Sequence, residues 1–350
     1  MPTLHPRHPI LLLTFITFTL SLLYDFRTLH RSRAYHELQT ALCISNQTSL
    51  SEHRQNEKFR WSEVAHNYPI PKESLISLPK ALPRDGIPRI QKEMARESRE
   101  EKKERLRKLE VIRGNFSRAF YGDGSRAELR DGVGLISRGN DGEGGWGVGL
   151  IDSLDTLWLM DLKEEFDTAI KSISKVDFTT SPVKTINVFQ TTTRILGGLL
   201  SAYDMSHSLY PELLDKAIEV GDMLYTAFDT PSRLPVSHLH LQSAKEGKKQ
   251  DESEGVGVPE MASVTLEFTR LSQVTGDMKY FDAVQRVVNN LEGRQDRTKI
   301  PGLWPIGNAT KGKVNSSETV EFGVGGEGGV YEGLMKMCVS SSQGKSRTDR

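Results

Sequence analysis

The sequence predicts an all-α fold of helical hairpins, and three observations carry that prediction. From about Gly145 onward, apolar residues recur at spacings of three and four. Each such run ends in a short polar turn, after which a second amphipathic run begins. Runs with the two-residue period of a strand are scarce. Repeated αα-hairpins with short turns build either a solenoid or a closed α/α barrel, and periodicity alone does not choose the seam.

In chain order, the first feature is an uncharged apolar run. Between Arg7 and Asp25 no charged side chain occurs, and residues 9–24 (PILLLTFITFTLSLLY) sit at the short end of the roughly 17 to 25 residues that span a bilayer. Asp25-Phe26-Arg27 lacks the small residues of a cleavage site, so an uncleaved signal anchor is expected over residues 1–33. Arg27, Arg31 and Arg33 against Arg7 alone would leave the C-terminal side cytosolic. Four sequons, at Asn46, Asn115, Asn308 and Asn315, favour a lumenal body, and the lumenal orientation is the one expected.

Residues 34–89 read as a stem, because Pro69, Pro71, Pro79, Pro83 and Pro88 forbid long helices. Trp61, Tyr68, Leu75 and Ile76 are too apolar for a free linker, so parts of the stem are expected on the domain surface. The run from Gln91 to Arg113 mixes charge signs at helical spacing. It reads as a solvated helix that joins the domain near Leu106, Leu109 and Ile112.

The helical body is expected over residues 90–338. Ile151 to Met160 is followed by Glu164 to Ile170. Next comes the stretch around which the rest is arranged, Val188 to Tyr203 (VFQTTTRILGGLLSAY). Phe189, Ile195, Leu196, Leu199, Leu200 and Tyr203 form its apolar stripe, and Gly197-Gly198 lets a neighbouring backbone come close. Gln190, Thr191, Thr192, Thr193 and Arg194 cluster at its start, which is either a Thr-rich cap or a ligand-facing end. Pro211 opens a further helix with Leu213, Leu214, Ala217, Val220 and Leu224 on one face. Met261 to Val274, the turn Thr275-Gly276-Asp277 and Tyr280 to Leu291 form another pair.

Asp229 to Pro235 reads as a turn-rich link, and Gln242 to Gly257 as a charged insertion. Phe322 to Gly329 (FGVGGEGG) follows no strand and does not fit a phosphate cradle. The polar residues 339–350 read as a disordered tail. With 46 basic and 46 acidic residues, the chain lacks the basic excess of a nucleic-acid binder. Its two cysteines, Cys43 and Cys338, offer no metal-ligand spacing and make either one long-range bridge or two unrelated thiols.

Five blocks together resemble the class I α-1,2-mannosidases, the processing glycosidases of the ER and Golgi. They are Gly144 to Phe166, Asn187 to Ser206, Lys216 to Pro235, Glu260 to Tyr280, and Gly302 to Ile306. The anchor, the Pro-rich stem and Trp61 to Val64 (WSEV) are similar to fungal membrane-bound members. The resemblance covers the N-terminal portion of the family only. It implies an incomplete (α/α)7 barrel, inverting removal of α-1,2-linked mannose from high-mannose N-linked glycans, and bound Ca²⁺.

An inverting glycosidase needs one carboxylic acid to protonate the leaving oxygen and a second carboxylate to activate water. The chain departs from that pattern. Gln190 stands where the family's motif has its acid, and an amide has no proton to give at neutral pH. The Gly-rich block before Tyr331 lacks the family's Asp. Glu327 is there either an offset substitute or simple drift. The family's remaining carboxylate and its Ca²⁺-holding Thr would lie beyond the end of this chain, so no metal ligand is assigned. An open half-barrel would also leave apolar helix faces without partners.

Arg194 and Glu260 match substrate-contacting positions, Glu260 with helix capping as its alternative. Asp152 and Asp155 are expected in buried hydrogen bonding at a helix start. Trp146 and Trp158 are candidates for stacking on sugar, with core packing the stronger reading for Trp158. Three functional readings follow: the mannosidase itself, a catalytically silent glycan-binding or quality-control relative, and a non-functional fragment. Gln190 weighs against the first.

Overall fold

The computed structural model describes residues 59–79, 93, 95–121, 144–250, 257–293 and 328–342. The anchor run 9–24, Cys43, Glu327, the Gly302–Ile306 block and the sequons at Asn46, Asn308 and Asn315 lie outside the described residues. The chain divides into two compact units, residues 1–59 and 60–350. Of the first, only Phe59 is described.

The second unit is helical, as the periodicity predicts. Helix α1 (Arg99–Tyr121) opens on a reciprocal cap in which Ser98 N donates to Glu101 Oε2 (2.8 Å) and Glu101 N donates to Ser98 Oγ (3.2 Å). Its expected docking through Leu106, Leu109 and Ile112 is not what the structure shows. These side chains and Val111 remain about half exposed (48–52%). This stretch is tied to the body by Arg113 Nη2, which donates to the Asp161 carbonyl (3.0 Å). One long-range bond of this kind is satisfied without burying the apolar stripe.

Helices α2 (Val148–Asp152), α3 (Leu154–Leu159) and α4 (Lys163–Ile173) follow as short pieces around Leu150, Ile151, Leu154, Leu157, Phe166 and Ile173, all buried. A two-stranded antiparallel ribbon, unforeseen in the sequence, joins β1 (Thr185–Asn187) to β2 (His238–His240). Its register pairs Thr185 with His240, Ile186 with Leu239 and Asn187 with His238. Three residues per strand are too few for alternation to register against noise.

From β1 the chain enters the central rod: α5 (Val188–Gln190), a π-helical stretch (Thr191–Leu196) and α6 (Gly197–Met205), with αR dihedrals at both junctions. Ile195, Leu196, Leu199 and Leu200 are buried, as the stripe predicts. The close approach expected of the glycine pair falls at Gly198, where a Cβ would lie 2.8 Å from the Ile151 carbonyl oxygen.

Helix α7 (Pro211–Tyr225) carries Pro at its first position and packs on α6. After β2 come α8 (Leu241–Lys245), α9 (Val258–Ala262), α10 (Thr265–Thr275) and α11 (Met278–Glu292). The turn between α10 and α11 forms as expected. Gly276 takes φ 76° past the end of α10, and Asp277 Oδ1 accepts from Lys279 N at the start of α11. Helix α12 (Gly328–Ser342) packs on α10 and α9. It carries residues 339–342 of the expected tail as helix. Apart from α1, Leu159 and Met335 are the large apolar side chains left exposed among the described residues, so the hairpins themselves are largely covered.

Residues 60–79 lie along this body, as their apolar content predicts. Trp61 is buried, with its Nε1 donating to the Phe178 carbonyl (3.3 Å). Asp229 accepts from Asn67 N (2.7 Å), Asn67 Nδ2 (2.9 Å) and Tyr68 N (2.8 Å). Further along, Ile76 N donates to Asp282 Oδ1 (2.9 Å).

Candidate functional site

The start of the central rod is built by local hydrogen bonding. Asn187 caps it, its Oδ1 accepting from Gln190 N at 2.9 Å. Thr192 Oγ1 then donates to the Val188 carbonyl (2.7 Å), and Thr193 Oγ1 to the Phe189 carbonyl (3.1 Å). Hydroxyls that bond four residues back compete with the α-helical ladder, and the rod widens to the π form over this segment. The Thr cluster thus serves as a cap and as a shaping device.

A cavity of about 190 Å³ opens here, lined by Val148, Val183, Thr185, Ile186, Asn187, Gln190, Thr191 and His238. Helix α2 and the segment before β1 supply its apolar wall; the ribbon and the rod supply its polar one. Gln190 is exposed, and its side-chain amide makes no hydrogen bond to the described residues. None of the described residues that line the space is a carboxylate. The set consists of amides, hydroxyls and one imidazole, which suits a neutral polar ligand and offers no strong acid.

The other expected site residues disperse around this cavity. Arg194 pairs with Asp152 (Nε to Oδ2, 3.1 Å), both partly exposed, outside the cavity lining. Asp152 is therefore not the buried helix-start residue expected of it. It closes α2 with its side chain 47% exposed. Asp155 fits its expectation better: from the first turn of α3 it accepts from Ser201 Oγ (3.0 Å) on α6. Glu260 stands in the first turn of α9, half-buried, with no side-chain hydrogen bond closing that turn.

The two tryptophans sit differently from a pair of sugar-stacking rings. Trp146 is 2% exposed, with its Nε1 bound to the Thr180 carbonyl (2.7 Å). Trp158 packs edge-on against Phe166 and Tyr210, and Lys163 Nζ lies 3.0 Å from its ring centroid. Core packing covers Trp146, and a cation covers Trp158.

Sequence reasoning missed two residues. His238 carries no signal in the sequence, because a three-residue strand does not announce which way its side chains point. Glu267, on α10, reads in the sequence as one acid in an amphipathic run. Its Oε1 lies 3.5 Å from where a Cβ on Gly197 would be, and its Oε2 is buried with no partner. Burial pushes its carboxyl up to about 7. The signal for it was an acid flanked directly by Leu266 and Phe268.

Calcium needs six to eight oxygen ligands. Among the described residues no three His, Cys, Asp or Glu side chains come together in a metal-holding group. No described helix is long and apolar enough to cross a membrane.

Comparison with known proteins then identifies the frame. The family model described as glycosyl hydrolase family 47 matches residues 116–349. The endoplasmic reticulum mannosyl-oligosaccharide 1,2-alpha-mannosidase of Homo sapiens is 40% identical over 163 residues, 46% of this chain and 22% of that protein. The probable mannosyl-oligosaccharide alpha-1,2-mannosidase 1B of Aspergillus niger is 31% identical over 247 residues, 66% of this chain and 47% of that protein. Among solved structures, the alpha-1,2-mannosidase from Trichoderma reesei aligns with a TM-score of 0.51 at 28% identity, covering 63% of this chain and 46% of that one. The chain thus spans between about a fifth and a half of the length of these relatives. With the family model covering most of the sequence and a mannosidase fold aligned to its helices, the chain belongs to glycosyl hydrolase family 47.

Proposed function

We propose that this chain binds mannose-terminated, high-mannose N-linked glycans on a family 47 scaffold and does not cleave them. The helical hairpins are read as the front part of an (α/α)7 barrel. The ligand class comes from the relatives, whose names give mannosyl-oligosaccharides as what they act on. The observation that carries the silent reading is Gln190: an amide stands on the cavity wall at the family's acid position, and none of the described residues lining that wall is a carboxylate. Inverting hydrolysis needs a proton donor and a base on opposite faces of the sugar, roughly 6.5–9.5 Å apart. Removing a single catalytic proton transfer costs about 10²–10⁴ in rate.

The test is direct. Purified chain, incubated with a high-mannose glycan in Ca²⁺ buffer, is expected to release no mannose while retaining the glycan on an array. Measurable release would overturn the silent reading, and a flat array would overturn binding. Residues 9–24 are read as the anchor and the body as lumenal, in the ER or Golgi, supported by the uncharged run and the sequons. In microsomes, glycosidase-sensitive modification and protease protection of the body test that placement.

A further inference from the structure

We infer that His238 is a ligand-contacting residue of the Gln190 cavity, donating or accepting a hydrogen bond at a mannose hydroxyl through its Nε2; this rests on the glycan-binding reading above. The ribbon register sets His238 directly across from Asn187, the residue that caps the Gln190 helix. Both line the cavity with Gln190. The His238 ring is oriented by Ser237, whose Oγ lies 3.1 Å from Nδ1. Its Nε2 makes no hydrogen bond to the described residues, and the side chain is exposed.

The remaining polar groups of the wall complete a neutral set. Asn187 commits its Oδ1 to Gln190 N, which leaves its amide nitrogen for a ligand. Gln190 presents both ends of its amide, and Thr185 and Thr191 add hydroxyls. An amide, a second amide, two hydroxyls and an imidazole match a polyhydroxylated, uncharged ligand, and the described lining holds no fixed charge for an ionic one. The space of about 190 Å³ is below the roughly 300–1,000 Å³ of drug-sized pockets. It takes the terminal residue of a glycan and leaves the remainder outside.

His240 supplies the contrast. It lies two residues along the same exposed face, but its Nδ1 accepts from Ser243 N (3.3 Å) and caps α8. It belongs to the local fold, and nothing places it in the cavity lining.

Calorimetric titration with α-1,2-mannobiose tests the contact, with nitrogen-edited NMR of the imidazole rings as a second readout. His238→Ala is expected to weaken binding about fivefold or more, the effect of losing one neutral hydrogen bond. His238→Gln, which keeps a donor and an acceptor, is expected to recover most of it. The ligand is also expected to move the His238 imidazole resonances and to leave those of His240 in place. If wild type binds and His238→Ala binds equally well, or if the His238 resonances do not move, the contact is overturned while the glycan-binding reading stands. If wild type binds no mannoside, both fall.

Discussion

At the scale of single residues, what a side chain does here follows from what surrounds it more than from its type. Gln190 was legible in the sequence because it interrupts a recognisable string of neighbours. Glu267 was not, because an acid on an amphipathic helix reads as a solvated face, and only the packing of α10 against Gly197 shows its carboxyl to be closed in. That closure has a consequence for stability. The carboxyl is raised from its ordinary 4.5 to about 7, so it is neutral in the fold over a range where the unfolded chain carries the charge. Its contribution is therefore neutral below about pH 4.5, turns unfavourable as pH rises, and levels off above about 7. Glu267→Gln is expected to stabilise the protein by up to about 3 kcal/mol at pH 8 and to leave stability unchanged at pH 4. Urea denaturation at the two pH values checks it. An equal effect at both would mean that the carboxyl is not shut away from water.

At the scale of elements, the helical hairpins were readable from period and turn chemistry, while the pieces that join distant parts of the chain were not. The ribbon between β1 and β2 is three residues deep on each side, and its pairing is set by chain segments some fifty residues apart. The strap of residues 60–79 is Pro-rich and polar. Its apolar residues announced a docked segment, but its partners could not be named, since Asp229 and Asp282 are far off in sequence. Burial alone would raise the Asp229 carboxyl, but the hydrogen bonds from Asn67 and Tyr68 outweigh it and hold the group below its usual range. The stability this supplies is present above about pH 4 and lost as pH falls through the folded value. Asp229→Ala is expected to loosen the strap at neutral pH, which trypsin would report as faster cleavage at the exposed Arg60 and Lys72. Cleavage at the wild-type rate would show that the Trp61 and Ile76 contacts suffice to hold it. Within the hairpins, Gly198 marks where α2 and the central rod touch through backbone. A methyl there must displace the Ile151 carbonyl, so Gly198→Ala is expected to cost about 1–3 kcal/mol by thermal or chemical unfolding, whereas Gly276→Ala strains the backbone without a clash.

Across the whole molecule, the open question is which parts share one folding transition. Periodicity gave helices and pairs, but it gave α10 no partner beyond its hairpin mate. The structure supplies one in α12, which the polar composition of its last residues did not suggest. Val330 and Met337 are 2% and 4% exposed, and Gly333 lies where a Cβ would come 4.0 Å from the buried Thr265 hydroxyl. Burying one such apolar side chain contributes about 1.5–3 kcal/mol, so the two together give up to about 3–6 kcal/mol. That is a large part of the 5–15 kcal/mol typical of a domain. A chain stopped after residue 327 would uncover the Thr265 end of α10, with its unpartnered hydroxyl, and the adjoining side of α9. Such a variant is expected to unfold at clearly lower denaturant and to bind a hydrophobic dye in buffer. The double substitution Val330→Ala with Met337→Ala should move the midpoint in the same direction by a smaller step, with the unfolding slope unchanged. If the shortened chain instead unfolded at the wild-type midpoint without binding dye, α12 would be an ornament on the surface and the hairpins preceding it would form a closed body by themselves.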